Sequence, residues 1–234
     1  ARMKKRFPRG SLREPNPAVG GTGSDFGVFR LQDDVLPFPP ALVMVAFAVN
    51  DDGAAEDKVI RSMEGIVRRI WQQDPRTDIC FVYTIKQGFL PTELDGKLPA
   101  SALAMERVAD YYRIPSINFG SAVCQLVRAV QLVFKGASQQ QNGIQVFSPD
   151  GVHPYPATGH VIYEGVLEKC FNSMNPPGRP RAKKHVLREP LARDYFSRTQ
   201  MVALSGLTLS PGWQIAAASG IHDVAGWGRG NEIV

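Results

Sequence analysis

The chain is poor in everything that would staple it covalently or hold a metal. It has three cysteines, Cys80, Cys124 and Cys170, far apart and never in a CxxC pair. That pattern excludes a disulfide framework and a zinc ribbon and reads as buried thiols. No apolar run is long enough to span a bilayer, so a membrane partner is not expected. No signal peptide is visible. The chain opens on Ala1 rather than methionine, and the expectation is a native start lying upstream, with the compartment left open. Acidic residues are the minority sign, 22 against 27 lysines and arginines. The basic excess gathers at 2–6 and 179–184 without interleaved aromatics, so it reads as a solvated terminus and linker, and no nucleic-acid partner is expected.

What is present is a globular composition, 44% hydrophobic and 21% charged over 234 residues. That is enough for one good core and the start of a second unit. The organising stretch is 41–53, ALVMVAFAVNDDG. Its apolar run over 41–49 predicts a strand buried on both faces, as in a parallel sheet. Asn50-Asp51-Asp52-Gly53 then falls at the carboxyl end of that strand, where open α/β sheets bind ligands. The same four residues are also an ordinary turn composition.

Around this strand the period alternates. A glycine-rich loop, 20–23, leads into a helix over 24–36, with Ser24 as its cap and Asp25 in its first turn. The loop lacks the lysine of a P-loop and the spacing of a dinucleotide fingerprint. Val59, Ile60, Met63, Ile66, Val67, Ile70 and Trp71 repeat at helical spacing and predict a helix over 56–73. A second buried strand is expected at 78–85, then a loop over 86–99, a helix over 100–112 and a short strand at 116–119. A helix is expected over 120–134, then a polar loop, an extended piece at 144–147, and a helix from His160 through Phe171. Residues 12–19 make a poor strand, broken by Pro15 and Pro17. Strands alternating with helices predict an α/β fold built on a parallel sheet.

The expected division is a main domain over 1–175, a basic proline-rich linker over 176–190, and a partial β-rich region over 191–234. Short strands are expected at 200–209 and 213–218. This tail is expected to pack poorly on the main domain.

The second chemical constellation is Asp150 with His153. In a turn, a carboxylate three residues before a histidine reaches one imidazole nitrogen. That leaves the other nitrogen to act as base toward a hydroxyl. A surface turn with an incidental histidine fits the same residues. A metal reading adds His160, but with no clear third ligand no metal or cofactor is expected.

Three segments in order, AVGGTGSDFGVFRL, VMVAFAVNDDG and DGVHPYPATGH, resemble the SGNH (GDSL-type) serine esterase superfamily. The segment MERVADYYRIPSINFGSAV is similar to bacterial members of it. The resemblance covers roughly residues 1–172 and implies a flavodoxin-like three-layer α/β/α sandwich. It implies that Gly21 supplies a backbone N–H, and Asn50 its side-chain amide, to an oxyanion hole. It implies that Asp150 and His153 are the acid and base of a triad, with Asp51 ordering the loop that carries Asn50. The family's nucleophile lies in a Gly-Asp-Ser motif upstream of the glycine motif, and no such motif occurs in this chain. Ser11 stands just after residues 1–7, which read as the exposed end of a helix stopped by Pro8 and Gly10, and Ser24 reads as a helix cap, so neither is assigned. The expectation is therefore a chain missing the first strand and its serine. The implied activity is hydrolysis of a small-molecule or carbohydrate ester, acetyl groups included. The alternative is a binding or interaction protein that keeps the fold without the nucleophile.

Overall fold

The structure, a computed structural model, describes residues 13–38, 40–173, 184–202, 208 and 210–212. By contacts the chain divides into two units, residues 22–201 and the two ends, 1–21 with 202–234. In the unit of the two ends, the described residues form no helix or strand, and Ala18 N–H binds Asn16 Oδ1 at 3.2 Å. The strand expected over 12–19 is thus absent at 13–19, where two prolines remove backbone donors. The basic clusters, apart from Lys184, and the strand expected at 213–218 lie outside the described residues. At 200–202 and 208 the chain is not in a strand.

The unit of residues 22–201 carries the elements in this order. They are α1 (Ser24–Asp34), β1 (Leu42–Val45), α2 (Glu56–Gln73), β2 (Asp78–Tyr83), α3 (Leu90–Leu94), α4 (Ala100–Tyr112), β3 (Ser116–Asn118), α5 (Gly120–Arg128), β4 (Leu132–Lys135), β5 (Gln140–Gln141), β6 (Ile144–Ser148) and α6 (Val161–Ser173). Strands β1, β2 and β3 form a parallel sheet in that order, with Leu42 opposite Asp78 and Phe81 opposite Ser116. The alternation of β2 sorts the layers. Ile79, Phe81 and Tyr83 enter a core shared with α2 and α4, while Cys80 and Val82 pack with Tyr163, Val166 and Leu167 of α6. Helices therefore cover both faces of a parallel sheet, the expected three-layer α/β/α sandwich. A second sheet runs β4-β6-β5, with β4 parallel and β5 antiparallel to β6.

The central stretch differs from its reading. Only Leu42–Val45 is strand, and Leu42 and Met44 are 38% and 43% exposed. Among the described residues β1 pairs with β2 alone, so its other edge is open and its outer residues stay accessible. The apolar run from Ala46 continues as a turn rather than as strand, because Asn50 N–H and Asp51 N–H both bond to Phe47 O.

Other differences have local causes. The helix expected over 120–134 stops at Arg128, and Leu132–Lys135 is a strand. The reversal puts Val130 at φ +56, a left-handed conformation for a β-branched residue with no glycine to advertise it. Val130→Gly is accordingly expected to raise stability by about 1 kcal/mol, read as a higher urea midpoint. An unchanged or lower midpoint would show the turn to be unstrained. The polar loop after Gly136 hides a hairpin whose Asn142 and Gly143 both have positive φ, the signature of a type I′ turn. The loop expected over 86–99 contains a 3-10 turn, Gln87–Phe89, and helix α3.

Helix α2 matches its expected limits, but it is buried on more than its apolar face. Glu64, Arg68 and Arg69 are all buried. The cover includes residues 184–201, an extended strap. Glu64 accepts Leu191 N–H at 2.6 Å, Ala192 N–H at 2.7 Å and a short bond from Tyr112 O–H. Arg68 donates to Tyr112 Oη and to Arg188 O, and Arg69 donates to Val28 O and Thr199 Oγ1. Phe196 lies against Gly65, where an added Cβ would come within 2.9 Å of Val28 Cγ2 and 3.0 Å of Phe196 O. His185 stacks on Trp71 with ring centroids 4.5 Å apart. The expectation of poor packing beyond residue 190 therefore fails for 191–201. Buried charges need partners, and the strap supplies backbone groups at Arg188, Leu191 and Ala192 and the hydroxyl of Thr199.

Candidate active site

The loop after β1 places Asn50 on the surface and turns Asp51 inward, where it is 4% exposed. Asp51 Oδ1 accepts Ser24 N–H at 2.9 Å, which ties this loop to the start of α1. The residue before α1 is Gly23, which has no side chain to cap the helix, and Ser24 is its first residue rather than its cap. A side chain at Gly23 would collide with the Asp51 carboxylate. Burial pushes the Asp51 carboxyl above its ordinary value, opposed by hydrogen bonds from Ser24. The neighbouring Asp25 is drawn below its ordinary value, chiefly by its hydrogen bond with Lys58, at 2.6 Å. Between these groups lies a polar cavity of about 110 Å³, lined by Gly23, Ser24, Asn50, Asp51 and Lys58 among others.

Asn50 Nδ2 donates to Thr22 O at 3.0 Å. A primary amide carries two N–H donors, so this bond fixes the side chain and leaves the second donor for another acceptor. Gly21 belongs to the unit of the two ends and has φ +68, the left-handed region that glycine tolerates.

The turn after β6 holds the other pair. Asp150 Oδ1 accepts Val152 N–H and His153 N–H, each at 2.8 Å, and Asp150 Oδ2 lies 2.7 Å from His153 Nδ1. Ser148, fully buried, backs the turn. Its hydroxyl accepts Gly151 N–H at 2.9 Å and lies within bonding distance of Asp150 Oδ1 and His153 O. The bond from the His153 ring, followed by those from the His153 and Val152 amides, holds the Asp150 carboxyl well below the usual carboxylate range. A carboxylate there favours the tautomer with its proton on Nδ1, and Nε2 then presents a lone pair. The His153 side chain is 73% exposed, so that nitrogen is open to an incoming hydroxyl.

Two contacts bring the loops together. Asp52, beside Asn50 and Asp51, pairs with Lys86 at 2.7 Å, and Gln87 N–H bonds to Gly151 O at 2.7 Å. The Asn50 loop and the Asp150–His153 turn therefore flank the same segment, at the carboxyl end of β2. Ser148, Lys86 and Gln87 went unnoticed in the sequence. Ser148 stands two residues before Asp150 in Ser-Pro-Asp-Gly, a legible turn signal, whereas Lys86 and Gln87 sit in no motif. Among the described residues no three His, Cys, Asp or Glu side chains gather closely enough to hold a metal, so the grouping with His160 is not formed.

No family model matches this chain, and no curated protein sequence matches it. Among solved structures it is similar to a two-domain esterase active on acetylated mannans. The identity is 25% and the TM-score 0.65, over 83% of this chain and 47% of that one. The same esterase co-crystallised with mannopentaose matches at 25% identity and TM-score 0.62, over 83% of this chain and 46% of that one. The chain thus has the α/β fold of part of that esterase and spans just under half of its length.

Proposed function

We propose that this chain is the α/β core of an SGNH-type serine esterase that removes acyl groups, acetyl from carbohydrate in particular. The observation that carries the reading is the Asp150–His153 contact at 2.7 Å, on a turn tied to the segment that also holds the Asn50 loop. The mannan esterase of similar fold supports the substrate class. In this mechanism the His153 Nε2 takes the proton of a serine hydroxyl while Asp150 stabilises the imidazolium. The serine oxygen adds to the ester carbonyl. The second N–H of Asn50 holds the tetrahedral oxyanion, a donor worth on the order of 3 kcal/mol, and the family resemblance assigns the other donor to Gly21 N–H. His153 then returns the proton to the leaving alcohol, and water repeats the cycle on the acyl-enzyme. The serine itself is not assigned to any residue of the chain.

A second reading, a carbohydrate-binding protein without turnover, is favoured by one observation. Among the described residues no serine hydroxyl bonds to the His153 ring. Incubation of acetylated manno-oligosaccharides with the chain extended at its N-terminus by a strand ending in Gly-Asp-Ser separates the two. Acetate release that is lost in His153→Ala supports the esterase. Calorimetric binding without release supports the second reading, and neither binding nor release would overturn both.

A further inference from the structure

We propose that Lys86 is a positioning residue that sets the spacing between the Asn50 carboxamide and the His153 imidazole. This rests on the reading of those two groups as oxyanion donor and base. Asn50 follows β1 in the first sheet and His153 follows β6 in the second, so no shared strand register fixes their separation. Both side chains stand at the surface, so core packing does not fix it either. The segment between them does. Lys86 Nζ pairs with Asp52 Oδ2 at 2.7 Å, two residues beyond Asn50. The same ammonium lies 5.1 Å from the centre of the Phe89 ring, which is 3% exposed, so the core holds the cation in place. The next residue, Gln87, donates its N–H to Gly151 O, between Asp150 and His153. Its side chain presses on the same glycine, where an added Cβ would come within 2.7 Å of Gln87 Oε1. Gly151 also has φ +88, so the grip requires glycine twice over. Lys86 and Gln87 thus form one clamp with a jaw on each loop.

The Lys86 side chain is only 22% exposed, but its partner Asp52 is 44% exposed, too open for the pair to carry the fold. That makes the role separable from stability. The test uses the ¹⁵N-labelled 234-residue chain and follows two reporters, the Asn50 side-chain NH₂ and the His153 ring resonances. Lys86→Met is expected to shift or broaden both sets while the melting temperature stays within a few degrees. Lys86→Arg, which keeps the charge, should restore both. Asp52→Asn cuts the same contact from the other side and should repeat the Met result, should Lys86→Met fail to fold. Shifts confined to residues 51–53, or no rescue by arginine, would reduce the contact to a surface ion pair and overturn the proposal. In a chain given a nucleophilic serine, Lys86→Met should also lower kcat about tenfold or more with KM unchanged. If that chain shows no His153-dependent turnover, the esterase reading fails, and the resonances still decide the role of Lys86.

Discussion

Extended at its N-terminus by a strand ending in Gly-Asp-Ser, this chain is expected to hydrolyse p-nitrophenyl acetate in a His153-dependent way. Without that extension, it should turn the ester over no faster than its own His153→Ala variant. The difference should approach the cost of losing a triad member, on the order of a millionfold in a well-studied protease. Two serines touch the loops of the site. Ser148 is fully buried and spends its hydroxyl on its own turn, and Ser24 is 1% exposed beside Asp51. Neither presents an oxygen to solvent near an open imidazole. Among the described residues the outer edge of β1 is open, and an added parallel strand would pair there and end near the Asn50 loop. Such an extension should therefore raise the melting temperature as well. Robust His153-dependent turnover by the unextended chain would sink this expectation and point to Ser11 or Ser24 as nucleophile.

Glu64→Ala is expected to be the most damaging single substitution away from the site. The carboxylate is fully buried and takes three hydrogen bonds, two from backbone amides of the strap and one from Tyr112. Arg68, bonded to the same Tyr112, would be left beneath the strap with less negative charge around it. Removing one partner from such a buried group costs about 3–5 kcal/mol. The expected result is a large drop in the urea midpoint together with faster proteolysis inside 184–201. Glu64→Gln should recover only part of the loss, since its NH₂ faces donors where the carboxylate offered acceptors. A midpoint shift equivalent to less than about 1 kcal/mol would show that water replaces the carboxylate under the strap.

These features were unequally legible in the sequence. Helix α2 was readable to the residue because its apolar positions repeat from Val59 to Trp71 and Asp74-Pro75 closes it. The parallel pairing of β1 with β2 followed from apolar strands separated by that helix. Asn50, Asp150 and His153 were nameable because each belongs to a short local pattern. The end of α5 was not, since Val130 occupies a left-handed position that sequence reasoning reserves for glycine. Nor was the extent of β1, whose apolar run outlasts its hydrogen-bonded ladder. Lys86 was invisible for another reason. Its partner Asp52 lies on a different loop, and a long-range ion pair leaves no periodic trace. The strap escaped notice because Glu64 grips main-chain amides at Leu191 and Ala192, and nearly every residue carries one.

The segment 184–201 lies over Glu64, Arg68 and Arg69, and it also sets Leu187, Leu191, Ala192 and Phe196 against the core. Its release would therefore bare apolar surface along with charge, Trp71 under His185 included. A newly made chain whose strap has not yet emerged from the ribosome carries that surface uncovered, and its longest helix stays open to other chains until residues 184–201 arrive.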